Sequence, residues 1–182
     1  MAMTILRGLP EQHRAAAARL YWQAFGDKLG RVMGPEPRAL DYLCRVIRAD
    51  HALVAVAGDE LLGFAGFKSP GGGFAEGGWA EMRPIYGLFG AGWRLALLGV
   101  LSRQVDNERF LVDGICVIPG RRGEGIGSQL VAALCAEAAL RGYRAVRLDV
   151  IDRNTRARAL YERLGFRPVA EDDLGLLRLA FG

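Results

Sequence analysis

Between Phe110 and Arg141 an apolar strand runs into a glycine-rich turn and leaves it as a helix. The strand candidate, Phe110–Ile118, is stopped by Pro119-Gly120. The turn reads Arg121-Arg122-Gly123-Glu124-Gly125-Ile126-Gly127-Ser128. A helical period then holds to Arg141: Ile126, Leu130, Val131, Leu134 and Ala138 share one face, and Gly142 supplies the stop. The turn has chemistry of its own. The first amides of a helix have no intrahelical partner, the helix dipole adds partial positive charge there, and glycines let a ligand approach the backbone. A phosphate or pyrophosphate is the expected guest, with charge-assisted hydrogen bonds from arginines on the rim.

Other readings of the turn are weaker. Glycine is the default turn residue, so such a turn can be structure alone. A dinucleotide fingerprint fails at Ser128, where G-x-G-x-x-G needs glycine or alanine. A P-loop fails because no Gly-Lys-Ser/Thr occurs.

The rest of the chain supplies the layers. Residues 3–7 read as a short strand, and Pro10 opens a helix through Phe25, with Gly26 and Gly30 as its stop. A second helix spans Glu36–Arg48, with Leu40, Leu43, Val46 and Ile47 at helical spacing. Ala52–Ala57 and Leu61–Phe67 flank Gly58-Asp59-Glu60 and read as a hairpin. A glycine-rich linker follows at Gly71–Gly73, then an apolar helical segment over 80–104. Ala145–Ile151 alternates Val146, Leu148 and Val150 with Arg147 and Asp149, a strand with two different faces. Asn154 caps or precedes a helix through Leu164, Gly165 ends it, and Phe166–Val169 and Leu174–Phe181 are closing strands. The order β-α-α-β-β-(insert)-β-α-β-α-β-β predicts an α/β (α+β) fold: a mixed, mostly antiparallel sheet flanked by helices.

At 182 residues the length suits one domain, 1–182, with 71–107 as a helical insert. Net charge is +4 and the arginines are scattered, without the basic runs or motifs that nucleic-acid binding requires. Three cysteines, Cys44, Cys116 and Cys135, form no close pair, which argues for a reducing compartment. No secretory apolar core precedes Pro10, so the expected location is cytoplasmic. The most apolar stretch, Pro84–Leu101, contains Arg94 and several glycines and is rejected as a membrane span.

Two motifs carry a family resemblance. Arg122-x-x-Gly125-x-Gly127 resembles the Arg/Gln-x-x-Gly-x-Gly/Ala signature of the GNAT superfamily of acyl-CoA N-acyltransferases. Asn154-x-x-Ala157-x-x-Leu160-Tyr161-x-x-x-Gly165-Phe166 is similar to the family's second conserved half. Together they span about 60 residues, with a strand between them. The resemblance implies a GNAT-like fold and an N-acetyltransferase that moves an acetyl group from acetyl-CoA to a primary amine by direct attack on the thioester. It implies that the turn, Arg122, Gly123, Glu124, Gly125, Ile126, Gly127 and Ser128, holds the CoA pyrophosphate. It also implies that Ile115, Cys116 and Val117 pair with the pantetheine arm, that Asn154 contacts CoA, and that Tyr161 protonates the departing thiolate. Acetyl-CoA is then a substrate, and no metal is expected.

A neutral amine must lose a proton on acylation, so a base is sought. Asp113 is the candidate, on the strand entering the turn and on one face with Ile115 and Val117 by alternation. Some GNAT enzymes carry a glutamate at about this place; the shorter aspartate can act through a bridging water. A structural ion pair is the competing reading of Asp113. Glu76 and Glu81 are further options. Amides near Cys116–Val117 are candidate oxyanion donors. His13 and His51 read as structural or surface groups, and Cys116 as a small buried residue, not a nucleophile.

The insert holds Trp79, Met82, Tyr86, Phe89 and Trp93. It is read either as a lid over the acceptor site, with Phe25, Lys28 and Leu29 opposite, or as an extra helix that covers the sheet or makes a dimer contact. The acceptor is a small-molecule or peptide amine, and a homodimer is one assembly open to the chain. The alternatives are a non-catalytic acyl-CoA-binding sensor and an unrelated phosphate-binding module.

Overall fold

The computed structural model describes residues 2–101, 110–151, 154–171 and 176–181. The Lys28 side chain, the end of the insert (102–107) and the start of the last expected strand (174–175) lie outside the described residues. The elements are β1 (Thr4–Arg7), α1 (Arg14–Met33), α2 (Glu36–Val46), β2 (Ala52–Ala57), β3 (Glu60–Ser69), β4 (Gly72–Gly73), α3 (Trp79–Leu101), β5 (Phe110–Val117), α4 (Ile126–Leu140), β6 (Val146–Ile151), α5 (Thr155–Arg163), β7 (Arg167–Glu171) and β8 (Leu176–Phe181). The strands form one sheet in the order β1-β2-β3-β5-β6-β8-β7, with β4 paired to β3 off this path. Every pairing is antiparallel except β5 with β6. This is the mixed, mostly antiparallel sheet that the element order predicts.

Both faces of the sheet are covered, which explains the nearly unbroken apolar runs of β2 and β3. On one face, α1, α2 and α3 pack over Val54 and Phe64 of the sheet, with Phe74, just after β4, and Met82 of α3 in the same layer. On the other, α4 lays Ile126, Leu130, Val131 and Leu134 against Phe67, Phe110 and Leu148. Burying a side chain such as Phe64 contributes roughly 1.5–3 kcal/mol. α4 is also tied by charge. Burial alone would raise the Glu137 carboxyl, but hydrogen bonds from Arg141 and Arg7 outweigh it and hold it below its ordinary value.

Two helices differ from expectation. α1 continues through Gly26 and Gly30 to Met33. The Trp22 ring fills the space beside Gly26, where a Cβ would lie 3.3 Å from it. Packing thus outweighs the roughly 1 kcal/mol that glycine costs inside a helix. The helix ends at Gly34, ahead of Pro35, because a residue before proline avoids the helical region. α3 breaks at Gly87, whose φ of 72° and ψ of 177° are not helical. The linker at Gly71–Gly73 adds β4, a two-residue pairing with Lys68 and Ser69. Among the described residues no helix is long and apolar enough to cross a membrane.

β3 and β5 approach closely at Gly63, where a Cβ would lie 2.5 Å from the Cys116 carbonyl oxygen. The obstacle is backbone, so a side chain there must push the strands apart. Gly63→Ala is expected to destabilise by about 1–3 kcal/mol, read as a lower urea midpoint at unchanged slope.

Candidate active site

Two residue pairs, Phe110 with Val146 and Leu111 with Arg147, join β5 to β6. β5 runs on to Val117 and β6 to Ile151, so the strands part beyond Leu111. The Ile118 N–H donates to the Leu62 carbonyl at 2.9 Å. Antiparallel bonding alternates along a strand, so Cys116 turns its N–H and C=O toward Phe64 of β3. Ile115 and Val117 turn theirs to the open edge. Arg122 uses one of these groups: its Nε donates to the Val117 carbonyl at 3.1 Å. The Cys116 amide is therefore unavailable as an oxyanion donor, while those of Ile115 and Val117 face the cleft.

β5 delivers the chain to the turn through one 3-10 turn, Pro119–Arg121. Gly123 and Gly125 are left-handed, with φ of 95° and 81°, a conformation other residues adopt only with strain. The first bond of α4 runs from the Gln129 N–H to the Gly125 carbonyl at 3.1 Å. Among the described residues, the amides of Gly123, Glu124, Gly125, Ile126, Gly127 and Ser128 donate to no protein carbonyl. No side chain caps the helix start. Ile126 is buried and anchors this end, whereas residues 122–125 are exposed. Arg121 is engaged by Glu124 at 2.9 Å. Arg156, from α5, reaches to 3.5 Å from where a Gly123 Cβ would stand. Open amides, a helix N-terminus and two guanidinium groups form a cradle fit for a pyrophosphate.

α5 brings two residues to the same cleft. Asn154 caps it, its Oδ1 accepting from the Ala157 N–H at 3.2 Å. Tyr161 packs on Phe166, with ring centroids 5.9 Å apart. Its hydroxyl has no hydrogen-bond partner among the described residues. Burial, with a smaller contribution from the Cys116 thiol, pushes Tyr161 up to about 12. The phenol is therefore a proton donor across the physiological range. Burial also pushes the Cys116 thiol up to about 12, against a small opposing effect of Arg122. A neutral thiol in the core is a poor nucleophile.

Asp113 sits in a β-bulge. Gly66 pairs with Gly114 and Phe67 with Val112, leaving Asp113 as the extra residue of β5. The bulge breaks the alternation that placed Asp113 on one face with Ile115 and Val117. Those two pack toward α4, whereas Asp113 meets the other layer. Its Oδ2 accepts from the Ala75 N–H at 3.4 Å, and its Oδ1 lies 3.4 Å from Lys68 Nζ. Tyr21 and Phe25 of α1, ring centroids 4.7 Å apart, cover the same stretch of β5. Burial first, then Asp113 and Cys116, raise Tyr21 well above its ordinary value. Glu76 and Glu81 are engaged elsewhere, accepting from the amides of Gly73 at 2.6 Å and Gly78 at 2.8 Å. His51 is buried against Ser69 at 2.9 Å and His13 is buried beside Gln12, which fits their structural reading.

The model of the acetyltransferase (GNAT) family matches residues 14–166, a span that holds β5, the glycine-rich turn, Asn154 and Tyr161. The chain belongs to the GNAT family. Streptothricin acetyltransferase from Streptomyces lavendulae is 34% identical over 125 residues, which is 69% of this chain and 62% of that relative. This chain thus matches less than two thirds of the relative's length. Among solved structures, an N-acetyltransferase from Staphylococcus aureus Mu50 superposes with a TM-score of 0.70 at 17% identity, covering 98% of this chain and 100% of that one. The putative acetyltransferase yncA from Salmonella typhimurium, solved with its cofactor acetyl-CoA, gives 0.61 at 18% identity over 100% and 94%. At such identities the likeness is one of fold.

Within this GNAT fold, the candidate site also takes in Lys68, Tyr21 and Arg156, which the sequence does not single out. Nothing local marks the first two, since strand register and helix packing bring them in. Arg156 is two residues past the motif asparagine and becomes visible only when α5 is seen beside the turn. Gly114 did carry a signal, because glycine inside an apolar strand marks a bulge or a close approach. The buried, neutral Cys116 gives the first functional test of this GNAT site. Cys116→Ala is expected to keep thioester turnover within about threefold of wild type, whereas loss of a covalent nucleophile costs orders of magnitude. A loss of that size in a folded Cys116→Ala protein contradicts the assignment.

Proposed function

We propose that this protein is an N-acetyltransferase that moves an acetyl group from acetyl-CoA to a primary amine. The observation that carries the reading is the cleft itself. An unpaired strand edge at Ile115 and Val117 leads directly into six open amides at Gly123–Ser128. An extended chain bearing amides can pair with the first, and a pyrophosphate can sit on the second. Arg122 and Arg156 add charge at the rim.

The chemistry follows from the groups around that edge. The Ile115 amide polarises the thioester carbonyl and stabilises the oxyanion as the amine nitrogen attacks. The carbon–sulfur bond breaks as Tyr161 gives its hydroxyl proton to the leaving sulfur. Asp113, directly or through one water, takes the proton that the attacking nitrogen sheds, and solvent returns a proton to Tyr161. Lys68 Nζ, 3.4 Å from its Oδ1, holds the Asp113 carboxylate in place. Holding both reactants in one cleft supplies much of the rate. The named relative suggests a small-molecule amine as acceptor, and free cysteines suit a reducing, cytoplasmic setting.

Calorimetric titration with acetyl-CoA is expected to show micromolar binding that Arg122→Ala weakens and Gly125→Trp abolishes. No binding to folded wild-type protein removes the basis of the reading. Tyr161→Phe is expected to lower kcat by roughly 10²–10⁴-fold, the usual worth of a positioned general acid, with acetyl-CoA affinity unchanged. Because Tyr161 titrates near 12, wild-type kcat is expected to show no alkaline loss from this group below about pH 11. Binding without turnover on any amine identifies a non-catalytic acyl-CoA sensor instead.

A further inference from the structure

The two faces of β5 at the cleft are built differently. Toward α4, Val112, Ile115 and Val117 fill the space and pack into the apolar layer. Toward α1, the strand presents Gly114, which has no side chain, Cys116, which has a small one, and the Asp113 carboxylate, which is drawn to Lys68 and the Ala75 amide. Carbon atoms attached to a thioester at this edge can therefore extend only toward α1. That space is closed by aromatic rings. Phe25 lies so near Gly114 that a Cβ there would be 2.9 Å from its Cζ and 3.0 Å from its Cε2. Tyr21 backs Phe25 at 4.7 Å and is itself held against Phe64, at 6.4 Å, and Phe74, at 5.9 Å. Phe64 is the register partner of Cys116, so this stack stands directly over the strand. Tyr21 behind it braces the half-buried Phe25 ring on the side away from the strand.

We infer that Phe25, seated on Gly114 and braced by Tyr21, sets the acyl-chain limit of the donor: an acetyl group fits beside the ring, and longer acyl groups collide with it. The inference rests on the acyltransferase reading above and adds a specificity determinant to it. Phe25 acts on the acyl tail alone, so binding of the CoA portion is indifferent to it. A tight apolar pocket rejects an added methylene by roughly 10-fold or more, and butyryl-CoA carries two beyond acetyl-CoA.

The test titrates free CoA, acetyl-CoA and butyryl-CoA into wild type, Phe25→Ala and Phe25→Leu, and needs no knowledge of the acceptor. In wild type, butyryl-CoA is expected to bind at least about tenfold more weakly than acetyl-CoA. In Phe25→Ala that gap is expected to shrink to within about threefold, with free-CoA affinity unchanged. Phe25→Leu keeps an apolar contact with α1 and is expected to fall between them. Retained binding of free CoA shows that each variant is folded at the site. Equal binding of the two acyl donors by wild type, or a gap that persists in both variants, overturns the inference while leaving the acyltransferase reading intact. Wild type that binds none of the three ligands overturns both.

Discussion

The parting of β5 from β6 is the constraint on which the site depends. Two residue pairs hold the strands parallel, and then the ladder stops while both strands continue. A strand edge left open in the middle of a sheet exposes unmet backbone groups, which water or a ligand must satisfy. Here the open groups belong to Ile115 and Val117, and the same strand ends in a turn whose amides are also unmet. One backbone feature thus opens the strand edge on which the proposed acyl-CoA reading rests and leads it to the glycine-rich turn.

The packing around that opening keeps it from closing. On one side, the aromatic group of Tyr21, Phe64 and Phe74 presses α1 onto the sheet. On the other, Ile126 and Leu130 fix α4 so that its uncapped start stays beside the end of β5. α5 packs beside the turn, with Leu160 in contact range of Gly127 and Tyr161 half-buried against the α4 layer. The bulge at Asp113 completes the arrangement by rotating a carboxylate to the α1 side, away from the apolar layer of α4. Glycine is required where backbone meets neighbour at Gly63 and Gly114, and where the turn goes left-handed at Gly123 and Gly125.

Much of this was legible in the sequence, for local reasons. The strand–turn–helix unit was visible because its periods, its Pro-Gly stop and its glycines are all local signals. The second motif showed Asn154 at a helix start and Tyr161 on the helix. What stayed hidden was tertiary. The register that leaves Asp113 bulged cannot be seen in one strand, so simple alternation put it on the wrong face. α1 outran its glycines because Trp22 packs beside Gly26. Lys68, Tyr21 and Arg156 enter the site only by pairing or packing. The apolar insert did form a helix, and its break at Gly87 leaves Leu88, Phe89, Trp93 and Leu97 exposed beyond the kink.

The most direct test of the account is amide hydrogen exchange along the chain with and without acetyl-CoA. Slowed exchange at Ile115 and Val117 and throughout Gly123–Ser128 is the predicted result, with Cys116, already bonded to β3, little changed. Slowed exchange confined to other elements, or none at all under saturating acetyl-CoA, contradicts the claim that the parted strands and the glycine-rich turn form one ligand site.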